Sequence, residues 1–196
     1  MDGEKSRKII CIDIGGTAIK SGIMDENLKF LKTDSMDTPR GGSRIMDAVL
    51  ERISEYLTVV PNPKAVCISS AGIIDSDRGI VTEANESLIP GYTGMDIAGR
   101  VKERFRIPCY VENDVNCAAM AEAYQGAARG YSSVLMLTIG TGIGGVWYFF
   151  DENAYCKTNT WVFWNGKWYY LDVNGAMLVN TTTPDGKQVG EDGALL

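Results

Sequence analysis

Asp13 stands near the end of an apolar, β-branched run and is followed at once by Gly15-Gly16-Thr17, with Lys20 three residues beyond the threonine. Two adjacent glycines permit φ > 0 and let main-chain N–H groups come close to an anion. Thr17 adds a hydroxyl and Lys20 a cation, and the Asp13 carboxylate is placed to hold a hydrated metal ion. A second glycine loop, Gly140-Thr141-Gly142-Ile143-Gly144-Gly145, also lies between two apolar runs. One such loop is an ordinary hairpin turn, but two of like composition can grip the phosphates of a nucleotide from two sides. The third constellation is Glu112-Asn113-Asp114-Val115-Asn116. Asp114 can accept the proton of a hydroxyl attacking phosphorus, or it can cap the helix that follows. Read locally, capping is the plainer role, and both can hold if Asn113 shares it. Gly72 and Asn85 fall in loops that follow strands, where open α/β sheets place ligands. An asparagine amide offers a sugar both a donor and an acceptor.

The apolar pattern supplies a frame for these residues. Lys8–Ile14 reads as a buried strand and Ala18–Met24 as its hairpin partner. Residues 8–34 form three strands in this reading, with Asp25-Glu26-Asn27 as the second turn and a loop over Asp37–Ser43. Ile45, Met46, Val49, Leu50, Ile53 and Leu57 recur at helical spacing over Arg44–Leu57. Pro61 and Pro63 end that helix, Lys64–Ser70 is the next strand, and Ala71-Gly72-Ile73 bends the chain away. A short strand over Gly79–Thr82 and a loop over Asn85–Gly91 follow. Ile97, Ala98, Val101 and Phe105 mark a second helix, ended by Pro108, before a strand at Cys109–Val111 and a helix at Val115–Gln125. Ser133–Ile139 and Val146–Phe150 read as strands on either side of the second glycine loop. Hairpin strands followed by strand–helix–strand alternation predict an α/β fold with a mixed sheet. A strand rather than a helix follows the first glycine turn, which sets the pattern apart from a Rossmann unit.

Composition excludes several functions. The 196 residues carry a net charge of −6 and no basic cluster, which argues against nucleic acid and acidic membranes as partners. With no histidine in the chain, Ser-His and Cys-His catalytic pairs are excluded. The five cysteines are odd in number and form no CxxC pair, and Cys11, Cys67 and Cys109 lie in or beside apolar runs. Buried free thiols in a cytoplasmic setting fit this usage. No run approaches a membrane span or the core of a signal peptide.

Composition changes near residue 147. All four tryptophans and 11 of the 18 aromatic residues lie in the last 50. Helical spacing gives way to short aromatic runs separated by Asn165-Gly166, Asn174-Gly175, Asp185-Gly186 and Asp192-Gly193, which are hairpin signals. The tail therefore reads as a separate module of tandem hairpins.

Taken in order and spacing, residues 8–146 resemble the ROK family of bacterial sugar kinases and repressors, which have an actin-like, ribonuclease-H-like ATPase fold. The matching stretches are Asp13-Ile-Gly-Gly-Thr-Ala-Ile-Lys20, Ser70-Ala-Gly-Ile-Ile-Asp75, Asn85 with Pro90-Gly91-Tyr92, Val111-Glu-Asn-Asp-Val-Asn116, Ala118-Ala-Met-Ala-Glu122 and Thr138-Ile-Gly-Thr-Gly-Ile-Gly-Gly145. The resemblance implies that Gly15, Gly16 and Thr17, together with Gly140, Thr141 and Gly142, hold ATP phosphates, with Lys20 beside them and Asp13 near Mg²⁺. It implies Asp114 as the base on the sugar hydroxyl, and Gly72, Asn85 and Asn113 as sugar-binding residues. After Gly145 the family pattern stops short of its second actin-like domain, so the expectation is a kinase domain that is weak or inactive by itself.

The tail resembles the choline- or glucan-binding repeats of Gram-positive cell-wall proteins, through Trp161-Val-Phe-Trp-Asn-Gly-Lys-Trp-Tyr-Tyr-Leu-Asp-Val-Asn-Gly-Ala-Met177 and Thr183-Pro-Asp-Gly-Lys-Gln-Val-Gly-Glu-Asp-Gly-Ala194. Aromatic walls in such repeats stack on a cationic methyl group or a sugar face. For Trp161, Trp168 and Tyr169 the plainer expectation is packing within a hairpin. The expected domains are 1–146, of ROK kinase type, and 147–196, the aromatic hairpin tail. The rival reading is a non-catalytic wall-binding module, or a chimeric fusion, that carries a passenger kinase fragment. Homo-oligomerisation is left open.

Overall fold

The run Ile9–Ile14 forms the central strand β1, with Ile10, Ile12 and Ile14 buried on one face and Cys11 and Asp13 half-buried on the other. The computed structural model that shows this describes residues 7–139, 143–149, 151, 157–173, 175 and 177–196. The chain divides into two compact units, residues 1–114 and 115–196.

In the first unit β1 is followed by β2 (Ala18–Met24), β3 (Phe30–Asp37), helix α1 (Gly42–Val59), β4 (Val66–Ser70), β5 (Ile73–Asp75), β6 (Ile80–Glu83), helix α2 (Ile97–Phe105) and β7 (Cys109–Asn113). Five strands form one sheet in the order β3-β2-β1-β4-β7. β1–β2 and β2–β3 are antiparallel, while β1–β4 and β4–β7 are parallel. The mixed sheet expected from the sequence is present. Parallel pairing after the hairpins requires crossovers, and α1 and α2 supply them. The inward isoleucines of β1 join Val66, Ile68 and Val111 with Ile45, Met46, Val49 and Ile53 of α1 in one apolar core. Arg52 of α1 reaches β3, where Nη1 lies 2.6 Å from Asp34 Oδ2.

Several boundaries differ from expectation. β3 runs on to Asp37 because its pairing with β2 continues to Ala18↔Asp37. β5, absent from the expected pattern, is a three-residue strand paired antiparallel with β6. β7 extends past Val111 to Asn113 because β4 pairs with it as far as Ser70↔Asn113.

The second unit carries α3 (Asp114–Gln125), whose first residue belongs to the first unit, then β8 (Ser133–Ile139) and β9 (Ile143–Phe149). β8 and β9 pair antiparallel from Ser133↔Phe149 to Ile139↔Ile143. The pairing takes Ile143, Gly144 and Gly145 of the expected glycine loop into β9. β10 (Thr160–Trp164) and β11 (Lys167–Leu171) form a hairpin through Asn165 and Gly166, both at positive φ as a type I′ turn requires. β12 (Thr181–Thr182) and β13 (Gln188–Val189) form another around Asp185-Gly186. Trp161 meets Tyr170, Phe163 meets Trp168 and Trp164 meets Tyr169 across the first hairpin. Trp168 nonetheless stays 46% exposed. No helix among the described residues is long and apolar enough to cross a membrane.

Candidate functional site

Strand register gathers polar residues on the sheet face opposite α1. Asp13 pairs with Lys20 on β2 and with Ser69 on β4, and Ser69 pairs with Glu112 on β7. Paired residues share a face, so Lys20, Asp13, Ser69 and Glu112 form one row across four strands. Ser69 Oγ donates to Asp13 Oδ1 at 2.8 Å. At the far end of the row Glu112 Oε2 accepts from Ser76 Oγ at 2.7 Å, and Glu112 Oε1 accepts the Asn113 N–H at 2.7 Å. Asp13 and Ser69 offer hard oxygen donors, and no group of three Cys, Asp or Glu gathers as a metal cage among the described residues. That set fits a hydrated Mg²⁺, which keeps several waters and needs only one or two carboxylates.

The turn after β1 is held from outside itself. Gly15 N donates to Ala18 O at 3.1 Å, Thr38 N donates to Thr17 O at 2.9 Å, and Thr38 Oγ1 donates to Gly15 O at 2.6 Å. Neither Gly15 nor Gly16 takes the positive φ that glycine permits. A Cβ on Gly15 would lie 3.0 Å from the Ala18 carbonyl oxygen, so close approach is what favours glycine there. A Cβ on Gly16 would meet nothing within 4 Å, and Gly16 and Thr17 are exposed, so the apex can admit an anion. Gly140, Thr141 and Gly142, the expected second clasp, lie outside the described residues.

Gly72 and Asn113 are brought together, with Asn113 Nδ2 donating to Gly72 O at 2.7 Å. Gly72 has φ +99°, and a Cβ there would lie 2.7 Å from Glu83 O, so the bend after β4 demands glycine. Asp114 follows directly as the exposed first residue of α3, where the helix dipole favours a carboxylate. Asn113 therefore occupies the position before the helix. Asn85 lies in an exposed loop: its Oδ1 accepts Ser87 N–H at 3.0 Å, and its carbonyl accepts Leu88 N–H and Ile89 N–H. Its Nδ2 has no hydrogen-bond partner among the described residues.

Sequence reasoning assigned no role to four residues that build this region. Ser69 and Glu112 belong to the row only through register, which no local pattern encodes. Glu86 ties down the Asn85 loop by accepting Gly91 N–H at 2.6 Å and Thr93 N–H at 3.2 Å. Its hydrogen bonds from Thr93 and Gly91 hold its carboxyl below the usual range. Tyr92, wholly buried, shares a 2.8 Å hydrogen bond with Ser70 at the end of β4, and burial pushes its phenol up to about 12. Cys11, Cys67 and Cys109 are free thiols, half-buried rather than fully buried. Burial, with Cys67 nearby, pushes Cys11 up to about 11, and burial pushes Cys109 to about 12.

Comparison with known proteins gives two matches along the chain: the ROK family over residues 9–149 and a choline-binding repeat over residues 155–195. A beta-glucoside kinase of Klebsiella pneumoniae is 37% identical over 139 residues, covering 70% of this chain and 45% of that protein. A glucokinase of Streptomyces coelicolor is 35% identical over 136 residues, covering 69% of this chain and 42% of its own length. Among solved structures, a Streptomyces griseus glucokinase in complex with glucose and AMPPNP aligns with a TM-score of 0.65 at 33% identity. That alignment covers 76% of this chain and 46% of the other. The chain thus spans less than half the length of these relatives.

Proposed function

Since this chain belongs to the ROK family, with the actin-like ATPase fold of that family, we propose that residues 1–146 are the nucleotide- and sugar-binding domain of an ATP-dependent sugar kinase acting on a hexose or an N-acyl-hexosamine. The observation that carries this reading is the convergence at the C-terminal ends of parallel strands. The Asp13–Ser69 pair and the Gly72–Asn113 pair lie there, with Asp114 directly after. ATP with Mg²⁺ supplies the phosphoryl group and the charge that balances it. Main-chain amides of Gly15, Gly16 and Thr17, with Lys20, bind the phosphates. Asp13 holds the hydrated ion, and Ser69 fixes the orientation of its carboxylate. Asn85 and Asn113 orient the sugar by its hydroxyls, with the backbone at Gly72 as the third contact. Asp114 takes the proton of the attacking hydroxyl onto its carboxylate.

Phosphoryl transfer depends on positioning within a closed cleft, and this chain spans under half of its relatives' length. Turnover by the chain alone is therefore weak or nil. Calorimetric titration with Mg-ATP, with and without glucose, tests the binding part. Saturable heat lost in Asp13→Asn supports the reading, and no heat under either condition rejects it. The odd cysteine count without a CxxC pair supports a reducing, cytoplasmic setting.

The match of residues 155–195 to a choline-binding repeat supports a second reading. In it the tail, residues 147–196, is a choline- or glucan-binding module and the kinase-type domain is its passenger. Retention of the full chain on a choline resin would favour this reading, and flow-through without retention would reject it.

A further inference from the structure

The strand register that aligns Asp13 with Ser69 also sets two thiols side by side. Cys11 on β1 pairs directly with Cys67 on the parallel strand β4, two residues before the Asp13↔Ser69 pair. Paired residues share a face, so both sulfurs project from the side of the sheet opposite α1. Both are free and half-buried. Burial, and then the nearby Cys67, raise the Cys11 thiol above its ordinary range, which places each sulfur within the other's field. In the same row Cys11 is flanked by Gly22 and Cys67 by Tyr110. Gly22 carries no side chain, and Phe30 Cδ1 stands 2.7 Å from where its Cβ would be. The thiol pair therefore sits between two aromatic residues, with no carboxylate or amine beside it in the row.

Spacing decides what such a pair can hold. Side chains paired on neighbouring parallel strands stand about 4.7–4.9 Å apart. A disulfide needs Cβ atoms about 3.5–4.5 Å apart, so closing one would pull the strands together. Two metal–thiolate bonds of about 2.3 Å laid end to end span about 4.6 Å, which matches the strands as they lie. A tetrahedral ion such as Zn²⁺ needs two further ligands, and no group of three Cys, Asp or Glu gathers among the described residues. Two soft thiolate donors suit a soft monovalent ion such as copper(I). Cys109 adds nothing to the pair, since it registers with Val66 and packs against the apolar core.

We propose that Cys11 and Cys67 form a two-coordinate, bis-thiolate site for a soft monovalent metal ion of the copper(I) type. On binding, each thiol gives its proton to solvent as its sulfur coordinates the metal, and the metal keeps its single positive charge. No electron is transferred. The site bridges β1 and β4 beside the Asp13–Ser69 pair and stands apart from the kinase reading.

The test is an anaerobic titration of the full, reduced chain with copper(I) against a chromogenic copper(I) chelator, followed by X-ray absorption of the complex. One equivalent is held, and the copper edge shows two sulfur neighbours in a near-linear arrangement. Cys11→Ser and Cys67→Ser each lower copper affinity by at least about 100-fold, since losing even a supporting partner of a ligand costs about 10–100-fold. A variant that keeps only this pair, Cys109→Ser/Cys117→Ser/Cys156→Ser, binds like the parent. The proposal is overturned if the parent loses copper to the chelator, or if either single variant retains parental affinity. It is also overturned if the triple variant loses the metal while its far-UV circular dichroism matches the parent's. A further contrary result needs no variant: the copper edge of the parent complex shows three or more ligands, or any nitrogen or oxygen.

Discussion

Replacing Gly72 with alanine strikes fold and site through one atom. The residue sits at φ +99°, and the new methyl carbon would lie 2.7 Å from the Glu83 carbonyl oxygen and 3.3 Å from Val81 Cγ1. Left-handed backbone costs a residue with a Cβ about 1–2 kcal/mol. Forcing a methyl against a backbone oxygen adds about 1–3 kcal/mol, since the β5–β6 hairpin behind it must move. Loss of the Asn113 Nδ2–Gly72 O bond adds about 1 kcal/mol. Together these amount to about 3–6 kcal/mol, a large share of the ~5–15 kcal/mol that holds a domain folded. Urea unfolding followed by far-UV circular dichroism reads the loss, because every tryptophan lies outside residues 1–114. At temperatures where the variant stays folded, glucose affinity in the presence of Mg-ATP should fall along with stability. A variant within ~0.5 kcal/mol of the parent, the scatter of ordinary surface substitutions, would refute the claim that this bend requires glycine.

Other outcomes follow from the same geometry. Asp114→Asn should leave Mg-ATP affinity within about twofold while removing any sugar-dependent ADP release in a coupled assay, as loss of a general base costs about 10²–10⁴ in rate. Parallel loss of nucleotide binding would contradict that role. Tyr92→Phe should cost about 1 kcal/mol in urea, since Ser70 Oγ keeps a 3.0 Å bond to Ala71 O. Stability should fall at alkaline pH. Folding raises Cys11 from 9.0 to about 11, Cys109 from 9.0 to about 12 and Tyr92 from 10.0 to about 12. Above pH 9 the unfolded chain therefore releases protons first, so stability present below that pH is lost progressively up to about 12. A melting temperature flat from pH 8 to 11 would contradict this burial.

The core of the first unit was legible because its signals are local. β-Branched runs give β1 and β4, and the 3–4 spacing from Ile45 to Ile53 gives α1. Asn165-Gly166 and Asp185-Gly186 announce their hairpins through the backbone conformations those pairs favour. What was not legible depends on pairing between distant strands. Asp13, Ser69 and Glu112 lie 56 and 43 residues apart in sequence, and only the register of β1, β4 and β7 puts them in one row. The ends of β3 and β7 were missed for the same reason, since partner strands rather than composition extend them. The Gly15–Gly16 turn is subtler. The residue types suggested backbone freedom, whereas Gly15 is fixed by its closeness to the Ala18 carbonyl and Gly16 leaves the apex open. Lys187 Nζ, 4.9 Å from the Trp161 ring centroid, joins two hairpins of the tail, and no local pattern signals that contact.

The central claim is that the turn after β1, with Asp13 beside it, receives a nucleotide's phosphates. Backbone amide NMR of the full chain during Mg-ATP titration tests it directly. Saturable shifts at Gly15, Gly16 and Thr17 that vanish in Asp13→Asn are the expected result. Saturable binding that leaves those three amides unmoved, or no binding up to millimolar nucleotide, would contradict it.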